Sequence, residues 1–336
     1  MKALIQKLVG TNSPSGYESQ IRALIRAEVE PLADEVRVDA LGNLIVRKGA
    51  RSPQGLRLML TAHMDEIGLM VTHVDENGFA RFTPLGGVQA RYCPGGRVRF
   101  LNGAAGVIGL ERSEEAAKAP TFEQMFIDLG ADNKTNCPVQ VGDVAAFDRP
   151  FTDLGNRLVS KALDDRIGVA VIIEALRRLA SGSPATPHEV YFVFSVQEEV
   201  GVRGATTASF GLDPDVGLAV DVTDTGDTPK SRPMQVSLGK GPAIKVRDSG
   251  MLADPRIVDW MARTAEAAGL PYQLEILERG STDARAIQLS RAGVPAGCLS
   301  VPCRYIHSPS EMVATQDVLQ AVSLLVELLS HPIDLR

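Results

Sequence analysis

Short apolar segments typical of buried strands alternate with helical patterns through the second half of this 336-residue chain. The strand patterns cover residues 189–196, 216–220, 273–277 and 295–300, and the helical patterns cover residues 165–179, 254–268, 283–292 and 316–329. Strands that are apolar on both faces and separated by helices usually form a parallel sheet with helices packed on each side. The alternation therefore predicts an α/β fold, specifically an α/β/α sandwich with a mostly parallel mixed sheet.

Residues 67–156 have a different character. Short strand patterns punctuated by glycine follow one another there with hardly any helical periodicity, which is typical of small β-barrels. We therefore expect two domains: a sandwich made of residues 1–66 and 157–336, and a small β-barrel formed by residues 67–156 and inserted into it.

Composition and charge argue against several classes of protein. No segment approaches the roughly 18 consecutive apolar residues of a membrane-spanning helix, and the first residues do not resemble a secretory signal. The four cysteines are scattered, as expected for reduced thiols inside a cell. The net charge is -6, with no basic run that could bind phosphates. We therefore expect a cytoplasmic protein that binds neither membranes nor nucleic acid.

Histidine and carboxylate side chains gather in clusters at the ends of predicted strands or the starts of predicted helices. Ligands of open α/β sheets bind at such positions. The clusters occupy residues 61–66, 161–166, 195–201, 219–224 and 303–311. Because they offer nitrogen and oxygen donors but no paired thiolates, a metal bound there would be Zn²⁺, Co²⁺ or Mn²⁺ rather than a structural cysteine-bound zinc.

Two of these clusters also have a purely structural explanation when each is taken alone. His63 could be a buried structural histidine, and Asp164 with Asp165 could cap a helix, where aspartate is favoured. Glu198 and Glu199 are harder to explain, because burying two like charges after an apolar strand is expensive unless a cation offsets them.

Taken together and in order, the five clusters resemble the TET (tetrahedral) aminopeptidases of metallopeptidase family 42, which includes glutamyl aminopeptidases and proteins labelled endoglucanase CelM. The resemblance runs nearly from end to end and includes residues 238–245 and 281–284. It implies a zinc-exopeptidase-like sandwich and a metal-dependent aminopeptidase that removes N-terminal residues from short peptides.

The resemblance also implies roles for individual residues. Two divalent metal ions per subunit would be bound, most simply Zn²⁺ or Co²⁺ with Mn²⁺ as a third option, by His63, Asp164, Glu199, Asp221 and His307. His63 and Asp221 would hold one ion, Glu199 and His307 the other, and Asp164 would bridge the two. Asp65 would orient His63, and Glu198 would be the general base. A cis peptide bond is expected between Asp164 and Asp165.

Family members use the inserted barrel to dimerise, and their dimers build a hollow tetrahedral dodecamer. The resemblance therefore implies a homo-oligomer here. Side-chain specificity stays open. Four arginines could attract acidic residues, although arginines in loops are more often structural; they are Arg203, Arg279, Arg285 and Arg304.

Three alternatives stay open. Another two-metal exopeptidase or deacylase, such as a dipeptidase or aminoacylase, would have a similar ligand set. In that group, however, the extra domain typically follows the glutamate and later aspartate ligands, whereas here it lies between His63 and Asp164. An endoglucanase would need an aromatic-lined cleft between two carboxyl groups, for which one Trp and 5% aromatic residues are a poor basis. A non-catalytic relative would be expected to lose at least one buried carboxylate.

Overall fold

The computed structural model describes residues 1–182 and 185–335. The chain begins with two helices and three strands: α1 (Lys2–Val9), α2 (Ser19–Val29), β1 (Glu35–Val38), β2 (Leu44–Lys48) and β3 (Arg57–His63). On α2, Ile21, Ile25 and Val29 recur every four residues and are buried, as the apolar stripe of an amphipathic helix requires. Every residue of β3 after Arg57 is buried, which places this strand in the middle of the sheet.

The next six strands form the barrel. Its elements are β4 (Gly68–Val74), β5 (Ala80–Leu85), β6 (Arg97–Phe100), β7 (Ala105–Leu110), α3 (Glu114–Lys118), β8 (Met125–Asp128) and β9 (Val144–Phe147). The strands close in the order β4-β5-β8-β7-β6-β9, and all neighbouring pairs are antiparallel. The barrel has a hydrophobic core of its own, which includes Leu69, Phe82, Ile108 and Ile127. The predicted barrel insertion is confirmed, while the borders at residues 67 and 156 stay predictions.

The rest of the chain completes the sandwich. Its elements are β10 (Thr152–Asp153), β11 (Arg157–Ser160), α4 (Leu163–Ala180), β12 (Glu189–Ser195), α5 (Arg203–Leu212), β13 (Val216–Thr223), β14 (Ala243–Arg247), α6 (Pro255–Ala267), β15 (Gln273–Ile276), α7 (Asp283–Gln288), β16 (Ala296–Arg304), β17 (Glu311–Ala314) and α8 (Thr315–Ser330). The strand order is β1-β2-β12-β3-β13-β16-β17-β11-β10, with β14 paired to β16 and β15 paired to β14.

Helices cover both faces of this sheet. The four central strands β12, β3, β13 and β16 are parallel. Leu58 and Leu60 of β3 belong to the core that also contains α4 and α8. Met59, on the opposite face of the same strand, packs into the core with α5 and α7. Helices on both faces confirm the predicted α/β/α sandwich with a mostly parallel mixed sheet. Because the central strands are parallel, their carboxyl ends lie at one edge of the sheet.

The described helices of the sandwich and the barrel also differ from a membrane-spanning helix. Within residues 1–182 and 185–335, none combines the length and the apolar character needed to cross a bilayer.

Candidate metal centre

The sheet register places two predicted ligands side by side. Thr61 of β3 pairs with Ala219 of the parallel strand β13, and His63 and Asp221 each follow two residues later on their strands. Because successive side chains alternate between the faces of a strand, both point to the same face at the same edge. His63 is 2% exposed and Asp221 is 6% exposed, so both lie at the bottom of the site.

Asp164 lies between the two predicted histidine ligands. Its Oδ1 atom is 2.9 Å from Nε2 of His63, and its Oδ2 atom is 3.3 Å from Nε2 of His307. The Nε2 atom of His307 is also 3.2 Å from Oε2 of Glu199. Asp164 stands in the first turn of α4, and the expected cis peptide bond to Asp165 is present. One carboxylate therefore faces two imidazoles with separate oxygens, an arrangement that suits a bridging ligand.

The arrangement of donor atoms fits divalent cations. Donor atoms of His63, Asp164 and Glu199 lie within 4.8 Å of one another, and the same holds for His63, Asp165 and Asp221. The Oε1 atom of Glu199 is buried without a hydrogen-bond partner among residues 1–182 and 185–335. Asp165 is used differently, since its oxygens accept from the backbone N–H groups of His63 and Gly168 at 3.3 and 2.9 Å. An unpartnered buried carboxylate oxygen beside imidazole nitrogens is a typical setting for Zn²⁺ or Co²⁺.

The electrostatics of the cluster also favour cations. Burial raises the pKa of Asp221 and the pKa of Glu198 well above the usual range. Burial would lower the pKa of His307, but the charge of Glu199 and the hydrogen bond to Asp164 raise it to about 12. In His63 the hydrogen bonds to Asp164 and Asp65 likewise overcome burial and raise the pKa well above its ordinary value. The carboxylates thus create a strongly negative potential at this edge of the sheet.

Asp65 lies one layer behind these groups. Its Oδ1 atom is 3.4 Å from Nδ1 of His63. Its carboxylate also accepts hydrogen bonds from Ser15 Oγ at 2.6 Å and from the backbone N–H groups of Glu198 and Glu199 at 3.0 and 3.2 Å. One buried carboxylate is therefore positioned both to orient an imidazole and to fix the loop that carries the two glutamates.

Sequence reasoning missed the role of Glu311. This buried glutamate accepts the backbone N–H of Asp164 through Oε2 and the backbone N–H of His307 through Oε1, both at 3.0 Å. It ties together two predicted ligands that lie far apart in the chain. Its membership of the cluster at residues 303–311 was a signal, but its partners are visible only in three dimensions.

Asp283 is a second residue without a predicted role. It accepts a hydrogen bond of 2.5 Å from Ser195 Oγ at the end of β12. Burial raises the pKa of Asp283 to about 6. The only signal in the sequence was its place in the segment 281–284, which resembles a family segment near the active site.

A cavity of about 420 Å³ opens above the cluster. Its lining includes all five predicted ligands together with the predicted base Glu198. Arg279 and Arg285 also line it, and neither side chain has a hydrogen-bond or ion-pair partner among the described residues. Arg304 instead forms two hydrogen bonds to Asp227, at 2.9 and 2.8 Å, and Arg203 donates to Gln197 at 3.2 Å.

Comparison with known proteins gives a consistent result over nearly the whole chain. A family model described as M42 glutamyl aminopeptidase matches residues 42–324. A candidate aminopeptidase from Acetivibrio thermocellus is 46% identical over 327 residues, which are 96% of this chain and 97% of that protein.

Solved structures agree with the sequence comparison. An aminopeptidase from the archaeon Desulfurococcus kamchatkensis superposes with a TM-score of 0.92 at 40% identity, over 98% of this chain and 94% of that one. The TET1 peptidase of Pyrococcus horikoshii, described as able to assemble into a tetrahedron or a large octahedral shell, gives a TM-score of 0.86 at 33% identity over 98% of both chains. These similarities confirm the predicted fold and the predicted family.

Proposed function

We propose that this chain, which belongs to the M42 glutamyl aminopeptidase family, is a two-metal aminopeptidase that removes N-terminal residues from short peptides. Its family membership supports the aminopeptidase activity. The observation that carries the two-metal proposal is the position of Asp164, whose two oxygens face His63 and His307 separately. A single buried carboxylate between two imidazoles suits a pair of cations better than one.

In this proposal His63 and Asp221 hold one cation, Glu199 and His307 hold the other, and Asp164 is shared. Zn²⁺ or Co²⁺ suits the mixed imidazole and carboxylate donors, and Mn²⁺ is a third option. When bound, the two cations would lower the pKa of a water between them, polarise the scissile carbonyl and anchor the free α-amine of the substrate.

Glu198 is proposed as the general base. It lines the cavity beside the predicted ligands, and burial raises its pKa well above the usual range of a glutamate, so its carboxylate binds a proton more readily than a solvated one would. Its carboxylate would take the proton of the attacking water and deliver it to the leaving amine. Asp65 would hold His63 in the required orientation and fix the backbone of the loop that carries Glu198.

Replacing Glu198 by glutamine tests this assignment. We expect Glu198→Gln to bind two Co²⁺ per chain like the wild type but to lose about 10²- to 10⁴-fold in kcat on aminoacyl-nitroanilides, which is the usual contribution of a general base. Glu76→Gln, on the exposed surface of the barrel, is the matched control. Removal of metal with EDTA should abolish wild-type turnover, and added Co²⁺ or Zn²⁺ should restore it. A Glu198→Gln variant with wild-type kcat would remove Glu198 from this role.

The alternatives predict other substrates. Within the described residues, the cavity lining contains no Phe, Tyr or Trp on which a sugar could stack, which disfavours an endoglucanase. A deacylase would cleave N-acetylated amino acids, which have no free amine, whereas the proposed enzyme requires that amine. Hydrolysis of acetylated substrates in preference to free N-termini, or chelator-resistant cleavage of cellulose, would contradict the proposal.

The proposed assembly is a homo-oligomer in which barrels form dimers and dimers form a tetrahedral dodecamer. The Pyrococcus horikoshii relative supports this proposal, because the present chain covers almost all of its length. A closed assembly would admit short peptides and exclude folded proteins. Light scattering of the purified protein tests this part, and a monomeric mass would refute it without affecting the proposed chemistry. A cytoplasmic location stays a prediction.

A further inference from the structure

The barrel contributes directly to the wall of the cavity. Strand β5 ends at Leu85, and the loop of residues 86–89 that follows it reaches across to the sandwich. Gly87 and Gln89 of this loop line the same cavity as the predicted metal ligands. The Nε2 atom of Gln89 donates a hydrogen bond of 3.4 Å to the carbonyl oxygen of Ile306, the neighbour of His307. The loop therefore contacts the segment that carries one of the ligands.

Two glycines of this loop lie against two particular ligands. A β-carbon added to Gly87 would overlap Nδ1 and Cε1 of the His307 ring. A β-carbon added to Gly86 would lie 2.9 Å from Cβ and 3.0 Å from Oε2 of Glu199. Distances this short leave no space for any side chain, so the backbone itself packs against the imidazole and the carboxylate.

The other pair of ligands is held differently. His63 and Asp221 stand at the ends of central strands of the sheet, and the hydrogen-bonding partners of His63 in the described structure belong to the sandwich. The side chain of His63 is 2% exposed, whereas that of His307 is 32% exposed. His307 also lies on a loop with a positive φ of 60°. One edge of its ring contacts Asp164 and Glu199, while Nδ1 and Cε1 lie against the Gly87 backbone, which belongs to the barrel.

We propose that the barrel loop of residues 86–89 is a positioning element for one cation only, the one held by Glu199 and His307. The site of His63 and Asp221 does not depend on this loop. This inference rests on the proposed two-metal function, and it makes the second cation site conditional on the docking of the barrel against the sandwich.

Titration of metal-free protein with Co²⁺ alone tests the inference, with calorimetry and visible absorption as readouts. We expect Gly87→Ala to weaken one of the two Co²⁺ sites by about 10- to 100-fold, the usual effect of disturbing a group that orients a ligand, and to leave the other site unchanged. The weakened site should be the one that His307→Ala also loses, which assigns it to the Glu199 and His307 pair.

Gly109→Ala is the matched control for barrel packing. A β-carbon at Gly109 on β7 would overlap the ring of Phe126 on the outer face of the barrel rather than a ligand. This variant should lower the thermal stability of the barrel but keep both Co²⁺ affinities. Equal weakening of both sites in Gly87→Ala, or the same pattern in Gly109→Ala, would overturn the inference, since the loop would then act only through general stability.

The same titrations distinguish a failure of the two-metal function from a failure of the positioning role. If the wild type does not bind two Co²⁺ per chain, the proposed two-metal function fails, whatever the variants do. If it does and Gly87→Ala binds both ions normally, only the positioning role fails. Should circular dichroism show that Gly87→Ala does not fold, Gln89→Ala decides the matter, because it removes the contact to Ile306 without adding bulk. Weaker binding at one site supports the positioning role, and unchanged binding at both overturns it.

Discussion

Lys245 on β14 and Glu275 on β15 form an ion pair in which both side chains are fully buried. Thr223 Oγ1 donates a hydrogen bond of 2.7 Å to Oε1 of Glu275, while Oε2 of the same carboxylate is buried and has no hydrogen-bond partner within the described structure. Burial by itself would lower the pKa of Lys245, but the charge of Glu275 raises it. The lysine therefore stays charged at neutral pH, and its loss would leave the charge of Glu275 with little compensation.

The magnitude of that effect follows from the burial of both partners. Removing one member of a buried pair typically costs about 3–5 kcal/mol, because the remaining charge is left desolvated. We expect Lys245→Met to lower the free energy of unfolding by that amount. The double variant Lys245→Met/Glu275→Gln should recover at least about 2 kcal/mol of this loss, since replacing both charges of such a pair is often neutral and the amide still accepts from Thr223.

Urea unfolding of metal-free protein at a fixed protein concentration measures this double-mutant cycle. The fluorescence of Trp260, the single tryptophan of the chain, reports on the sandwich, because its side chain is largely buried on α6. The exposed pair of Arg263 and Asp259 is the control, and its neutralisation should change stability little. A loss below about 1 kcal/mol in Lys245→Met, or a double variant as unstable as the sum of the single variants, would refute the reasoning.

Two further predictions concern arginines near the cavity. The hydrogen bond from Arg304 lowers the pKa of Asp227 to about 2. Because this folded-state pKa lies below the ordinary value of about 3.9, the charged carboxylate stabilises the folded protein at higher pH. Asp227→Asn should therefore lower the free energy of unfolding by about 2 kcal/mol at pH 7. The difference from the wild type should shrink as the pH falls from about 4 to about 2, and urea unfolding that shows no such trend would contradict the role of the pair. The side chain of Arg285 lines the cavity without a polar partner in the described part of the chain, so it should favour acidic N-terminal residues. Arg285→Ala should therefore lower kcat/KM for glutamyl-nitroanilide about tenfold more than for leucyl-nitroanilide, a difference of about 1.4 kcal/mol. An unchanged ratio of the two kcat/KM values would exclude Arg285 from specificity.

Local sequence patterns predicted the central strands of the sheet and the barrel. The central strands are continuously apolar, and the barrel has closely spaced glycines and short strands. Strand β14 was missed because residues 238–245 contain two glycines, a proline and two lysines, a composition typical of an exposed loop. Burial of Lys245 becomes possible only through Glu275 on another strand, and local patterning cannot show that partner.

The end of α7 shows a second limit of sequence reasoning. The helical pattern of residues 283–292 predicts a helix several residues longer than the observed Asp283–Gln288. The chain instead turns at Arg291, which has a positive φ of 48°, before β16 begins. The apolar pattern continues through this turn, because Val294 is buried in the same core cluster as residues of α5 and α7. Periodicity reports burial, so it cannot by itself locate the end of a helix.

The candidate site was predicted in part. The position of each cluster at the end of a strand or the start of a helix was enough to expect that these residues converge, but the predicted ligand roles come from the family resemblance. The contacts around the predicted ligands could not be read from the sequence. Glu311 accepts hydrogen bonds from the backbone of Asp164 and His307, and the backbone of Gly87 lies against the His307 ring. Such contacts depend on tertiary structure and leave no motif in the sequence.

The position of β3 in the sheet has a consequence for how the protein is made. This strand lies between β12 and β13, both of which follow the whole barrel in the chain. During translation at about 5–20 residues per second, β3 would leave the ribosome roughly 6 to 30 seconds before its neighbours exist. Its apolar residues, such as Leu58 and Leu60, would meanwhile have two unpaired edges. The nascent chain is therefore expected to depend on chaperones until β13 has been synthesised, even though the barrel can already be folding.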